Sequence, residues 1–183
     1  MQIKENTEKL NTLIEKISDL PEDSLRQFIE GTLTSYSNKE IEKVRAYVFY
    51  QCTQLKEIDL PNCTNINNYA FQYCSDLEEI NFPSLKTIGS YGFSRCTNLQ
   101  VADFGSLEAI NGYAFQLCGN LTQLIIRTPT VCELRALSAI NSTAIHNKKG
   151  YIYVPDELVE EYKVATNWSN YASQIKPLSE YQE

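Results

Sequence analysis

Apolar residues in this chain recur with a period of 22 residues. Between residues 44 and 126, equivalent positions of successive units are apolar, while the positions between them are polar or variable. Four columns keep one residue type through four units: Tyr47, Tyr69, Tyr91 and Tyr113; Phe49, Phe71, Phe93 and Phe115; Cys52, Cys74, Cys96 and Cys118; and Leu55, Leu77, Leu99 and Leu121. Such internal repetition indicates a solenoid of stacked supersecondary units.

Each unit contains a segment with the alternation of a β-strand. Ile80 and Phe82 lie two positions apart, so both point into the core from one face of the strand. The segment Tyr-Ala-Phe-x-x-Cys predicts a short helical turn on the opposite side, because Phe71 and Cys74 are three residues apart and share a helical face. A Pro or Gly ends the strand in three units: Pro61, Pro83 and Gly105.

The period and the pattern Leu-x-x-Ile-x-Phe are those of a leucine-rich repeat. We therefore predict an α/β fold, a leucine-rich-repeat solenoid with a parallel sheet on the concave face and short helical turns on the convex face. No coil can bury its apolar face alone, so the core forms between neighbouring coils.

The motif Ala-Phe-x-x-Cys-x-x-Leu at this spacing closely resembles the BspA-like leucine-rich repeat family. The resemblance covers about Leu33 to Leu134, more than half of the chain. It implies a solenoid with a binding role, of the kind found in bacterial surface proteins, adhesins and phage- or prophage-encoded proteins. Residues 151–181 also look similar to the C-terminal unit that often ends such repeats in gut-bacterial and phage-type proteins.

The array spans residues 31–134 and is flanked by an N-terminal helical segment, 1–30. Leu10, Leu13, Ile14 and Ile17 follow the spacing of an amphipathic helix. Two interpretations remain open. The helix over residues 1–20 covers the first coil, or it forms a homo-oligomer through a short heptad seam.

Residues 135–183 are predicted to form a mixed C-terminal capping unit. The repeat pattern decays after Ile126, with Cys132 standing in the last apolar column. A strand at 151–154 is followed by a helix that Asp156 caps. The remaining apolar side chains are expected to cover the last coil: Trp168, Tyr171, Ile175 and Leu178.

The net charge of −7 argues against nucleic acid and anionic membranes as partners. No apolar run is long enough to span a membrane, and the N-terminal stretch has no apolar signal-peptide segment. We expect synthesis in the cytoplasm, with association with a virion or a cell surface as a further expectation. Cysteines there are usually free thiols.

The sequence offers little catalytic chemistry. Four of the six cysteines recur at 22 residues, which matches no metal-ligand spacing, and we expect them to be buried thiols. His146 is the only histidine and has no nucleophile in an evident arrangement. We therefore expect no enzyme, no catalytic residue, no metal and no cofactor.

The candidate binding site is the outward face of the concave strands, whose residues vary from unit to unit. Variation on a repeated scaffold fits a recognition surface, but it also fits an unconstrained solvated face. The candidate residues are Glu57, Asp59, Glu79, Asn81, Val101, Asp103, Gln123 and Ile125.

Two functional hypotheses follow. The first is a protein- or glycan-binding module in surface adhesion or phage-tail recognition. The second is an intracellular inhibitor or regulator that binds a protein and is encoded by a bacterium or prophage. The column of tyrosines admits two interpretations as well: rings stacked along the solenoid, or an aromatic platform for a ligand.

Overall fold

The computed structural model describes residues 33–182, so both interpretations of the helix at 1–20 lie outside the described residues. The described part contains twelve short strands, mostly in pairs, one pair to a coil. Their bounds are β1 Ser35–Ser37, β2 Lys43–Val44, β3 Glu57–Asp59, β4 Asn65–Ile66, β5 Glu79–Phe82, β6 Thr87–Ile88, β7 Val101–Phe104, β8 Ala109–Ile110, β9 Gln123–Ile126, β10 Glu133–Leu134, β11 Tyr151–Val154 and β12 Ile175–Pro177.

The longer strands form the predicted concave sheet. Its order is β5, β7, β9, β11 and β12, every pairing is parallel, and β1 pairs with β3 at the N-terminal side. Ile80 faces Ala102 and Phe82 faces Phe104, each one repeat further along the chain. The prediction of a solenoid with a parallel sheet is confirmed.

A second parallel sheet runs along the other side of each coil. Its strands are two residues long, in the order β10, β8, β6, β4 and β2. Ile66 faces Ile88, and both are buried. The sequence marked this column as apolar but did not predict a sheet, since two residues are too few to display strand alternation.

The convex segments are consecutive tight turns. The Cys74 amide donates to the Phe71 carbonyl (3.3 Å) and the Gln72 amide to that of Tyr69 (3.3 Å). Tyr69 and Tyr73 have positive φ (61° and 68°), and the equivalent residues of the other repeats do too. A left-handed residue interrupts a right-handed helix. The segment therefore makes single turns instead of a continuous helix.

Ladders of identical side chains form the core. The Phe71 and Phe93 rings stack with centroids 5.1 Å apart, and both are fully buried. The Cys96 thiol donates to the Phe71 carbonyl of the preceding coil (3.2 Å), and Cys74 and Cys118 repeat this bond. The invariant cysteine thus fills a small core site and also binds one coil to the next.

The last coil departs from the repeat in a way that corrects one prediction. Leu134, not Cys132, occupies the last apolar column, since it pairs with Ile110 in register. Cys132 is held by the cap: its amide donates to the Tyr162 hydroxyl (2.8 Å), and the Trp168 indole donates to its carbonyl (2.6 Å). Extra residues after Ile126 therefore shift the last apolar column from Cys132 to Leu134.

The C-terminal unit packs against the last coil through Trp168, Tyr171 and Ile175, which are buried, whereas Leu178, the fourth residue expected in this role, is only half-buried. Its helices are short: α1 at Val159–Val164, and 3-10 helices at Leu137–Ile140, Asp156–Leu158, Trp168–Gln174 and Leu178–Glu180. The prediction that Asp156 caps a helix is wrong. Its carboxylate instead accepts the Ser179 amide (3.0 Å), which fastens the end of the chain to the cap.

Candidate functional site

An open groove of about 700 Å³ lies on the outward face of the concave sheet. Its floor comes from β3, β5 and β7, and one wall comes from the end of the chain. The lining residues are Lys56, Glu57, Ile58, Glu78, Glu79, Ile80, Asn81, Val101, Asp103 and Tyr181. Strand alternation places the inward neighbours of the floor in the core, so the floor rests on a packed scaffold.

Five of the eight predicted site residues line this groove: Glu57, Glu79, Asn81, Val101 and Asp103. Asp59 is exposed beside it and accepts a hydrogen bond from the Ser37 hydroxyl (2.8 Å). Gln123 is half-buried and lies outside the lining. The groove therefore takes in most of the predicted face on β3, β5 and β7 but not the predicted residues on β9.

Ile125 was predicted as an exposed binding residue, and this is wrong. Its exposed fraction is 0%, although it does not belong to the hydrophobic core cluster. In register, its neighbour on β11 is Tyr153, whose ring packs against Tyr181 at 5.1 Å between centroids. The end of the chain thus returns to the outward face at this end of the sheet, where the repeat pattern predicted open surface.

Asp103 forms a salt bridge with Arg127, a residue that sequence reasoning missed. Arg127 makes a two-pronged contact with its carboxylate, from Nε at 2.9 Å and from Nη2 at 2.7 Å. The same guanidinium lies over the Tyr181 ring, 5.9 Å from its centroid. Arg127 directly follows the last inward residue of β9, so strand alternation was the available signal for its outward position.

Tyr181 is the second residue that sequence reasoning missed. Two contacts near it hold the terminal segment: Lys176 pairs with Glu180 (2.8 Å), and Asp156 accepts the Ser179 amide. The hydrogen bonds from Ser179 lower the pKa of the Asp156 carboxyl below its usual value. Tyr181 lies outside the repeats, so no column predicted its place in the groove wall.

The carboxylates of the open part of the groove are unpaired. Among the described residues, Glu57, Glu78 and Glu79 make no salt bridge, and Lys56 at the rim makes none either. Three carboxylates therefore face the groove with one ammonium group. Apart from the Asp103–Arg127 pair, the groove is acidic.

The tyrosine column forms a continuous stack, as one of the two interpretations held. The rings of Tyr69 and Tyr91 are 4.9 Å apart and 6° from parallel, and the other neighbours stack alike. A ring whose two faces are covered by other rings offers a ligand only its edge. Stacking thus covers both flat faces of the inner rings, Tyr69 and Tyr91, and leaves them no face for sugar recognition.

The cysteines and the histidine show no arrangement for catalysis. All six cysteines are buried thiols. Burial raises the pKa of Cys132 to about 12, and it also raises the pKa of Cys74 and of Cys96 well above the usual value. Such thiols are poor nucleophiles. His146 Nδ1 lies 3.3 Å from the Tyr171 hydroxyl. Residues 33–182 contain no cluster of metal-ligating side chains and no helix that could span a membrane.

Stacked coils, two parallel sheets and a turn-built convex side define a leucine-rich-repeat solenoid. The chain belongs to the BspA-type family: the pattern of the BspA type leucine rich repeat region matches residues 28–149 in 6 copies. This extends the resemblance seen in the sequence at both ends. Repeats of this family are typical of protein-interaction scaffolds and are generally non-enzymatic.

The crystal structure of a leucine-rich repeat protein from Bacteroides ovatus ATCC 8483, at 1.19 Å resolution, is similar to this chain. The TM-score is 0.40 and the sequence identity 19%, over 67% of this chain and 43% of that one. The chain thus spans less than half of the length of this relative. No curated protein matches the chain.

Proposed function

We propose that this protein is a non-enzymatic recognition module that binds a protein or a glycan in the groove over β3, β5 and β7. The observation that carries the proposal is the groove itself, an open site of about 700 Å³ with a floor of β-strands and an aromatic wall from Tyr181. Clefts with a few polar groups held on rigid elements are the usual form of binding sites. Membership in a family of interaction scaffolds supports the same function.

The biological setting of the module is also part of the proposal. We place the module in adhesion or recognition at a bacterial surface or phage tail, in keeping with the family resemblance. The alternative is an intracellular inhibitor or regulator with one tight protein partner. Fractionation of the native host and of its phage particles, followed by an immunoblot, separates the two: a surface or virion fraction supports the first.

A steric block tests the groove. Asn81→Trp places a large side chain on the floor, whereas Asn98→Trp makes the same change at an exposed site outside the lining. Wild type and both variants are immobilised and exposed to a glycan panel and to surface-protein extracts. We expect a ligand that wild type and Asn98→Trp retain and Asn81→Trp loses. Equal retention by all three proteins would place binding elsewhere.

A further inference from the structure

Two residues that line the groove, Asp103 and Tyr181, already bind a guanidinium group that belongs to the protein itself. Arg127 is bound there by two kinds of contact at once, the two-pronged bond to Asp103 and the face of Tyr181. Planar guanidinium groups favour this combination of a carboxylate and an aromatic ring. At this end the groove therefore has the chemistry of an arginine site, filled from within.

The rest of the groove repeats the acidic half of that arrangement, and among the described residues no cation is paired with its carboxylates. Glu57 lies on β3 and Glu79 one repeat later on β5, and these two strands are in contact although no backbone pairing joins them. Both are exposed and, among the described residues, unpaired, and they share the groove with Glu78 and the Tyr181 ring. Two exposed carboxylates thus share the groove with the Tyr181 wall in the part that Arg127 does not reach.

We infer that the occupant of the groove is an arginine-bearing segment of a partner protein. The inference rests on the proposed function and deepens it by choosing a protein over a glycan. Guanidinium groups of the partner pair with Glu57 and Glu79. Asn81, which lies between these glutamates and Asp103, supplies an amide group that can both donate and accept hydrogen bonds. Charge complementarity favours this partner, because the groove presents three carboxylates and one ammonium group outside the internal pair.

The test uses the full chain and fluorescein-labelled hexaarginine, with hexalysine and hexaserine as comparison peptides. Binding is measured by fluorescence anisotropy at physiological ionic strength, where distant surface charges are screened. Glu57→Gln/Glu79→Gln removes two charges in the groove. Glu157→Gln/Glu161→Gln removes two exposed charges from the C-terminal cap and is the matched control. Circular dichroism verifies that both variants are folded.

We expect hexaarginine to bind more tightly than hexalysine and hexaserine to show no binding. The groove pair should weaken hexaarginine binding about tenfold, as close charge pairs in interfaces do, and the control pair should change it less than twofold. Equal losses in both pairs, or equal affinity for hexaarginine and hexaserine, would overturn the inference.

A failure of the proposed function can be distinguished from a failure of this inference. If Asn81→Trp abolishes capture of a natural ligand that the Glu57→Gln/Glu79→Gln variant retains in full, the groove binds but does not select arginine. A natural ligand that proves to be a glycan overturns the choice of an arginine-bearing partner in the same way. If Asn81→Trp changes no binding at all, the groove itself is not the site.

Discussion

The stacked phenylalanine ladder leads to a sharp prediction for Phe93. Its ring is fully buried and lies between Phe71, at 5.1 Å, and Phe115, at 5.5 Å. Phe82 approaches it from the concave strand at 6.0 Å. Phe93→Ala therefore removes a ring at the middle of the array that packs against the rings of both neighbouring coils.

The expected loss follows from burial and the cavity left behind. Truncating a buried phenylalanine to alanine destabilises a protein by about 3–5 kcal/mol, and the stacked coils leave little room for collapse around Phe93. With a urea m-value of about 2 kcal/mol per M, the unfolding midpoint should fall by about 2 M. Such a loss is a large share of the roughly 5–15 kcal/mol that stabilises a domain.

Urea unfolding followed by two probes provides the assay. Circular dichroism reports the sheets, and the fluorescence of the single tryptophan, Trp168, reports the C-terminal cap. Val164→Ala is the control, because Val164 is 81% exposed and should change stability by less than about 0.5 kcal/mol. A loss under about 1 kcal/mol for Phe93→Ala would refute the reasoning that the ladder is a shared, tightly packed core.

Three further predictions concern the thiols, the cap and the turns. A thiol reagent should label no cysteine rapidly in the native protein and all six after denaturation without reductant, since all are buried thiols; early labelling of one would contradict this. Trp168→Phe should lower stability by about 1–3 kcal/mol in thermal unfolding, because the buried Cys132 carbonyl loses its hydrogen-bond donor. An unchanged melting midpoint would contradict this and would show that water replaces the indole as donor. Gln51→Gly should raise stability by about 0.5–1 kcal/mol, because the exposed Gln51 has a φ of 59° that glycine adopts without strain; Gln51→Ala, the control, should bring no gain.

The core could be predicted from the sequence because each core position recurs in several repeats. Phe71, Cys74 and Leu77 recur at a fixed period, and their burial follows from that period alone. The period says nothing about backbone conformation. Nothing in a tyrosine marks the positive φ of Tyr69, and two-residue strands such as Asn65–Ile66 carry no alternation.

The part of the candidate groove that lies within the repeats could be predicted from the sequence, whereas the part formed where the chain returns from outside the repeats could not. Glu57, Glu79 and Asn81 came from strand alternation. Burial of Ile125 and the place of Tyr181 in the groove wall depend on how the last residues cross the sheet. Such contacts join segments far apart in sequence, and no local pattern encodes them.

The shared register of the central coils has a consequence for how this protein can change over generations. Because the coils of β5, β7 and β9 meet through the same pairings, recombination that duplicates one of these units would insert a coil with no new kind of contact. The groove floor would lengthen by about 4.8 Å for each added strand, while the cap would keep its hydrogen bonds to Cys132. Groove length is thus a heritable variable that changes in fixed steps, separately from the side chains that line it.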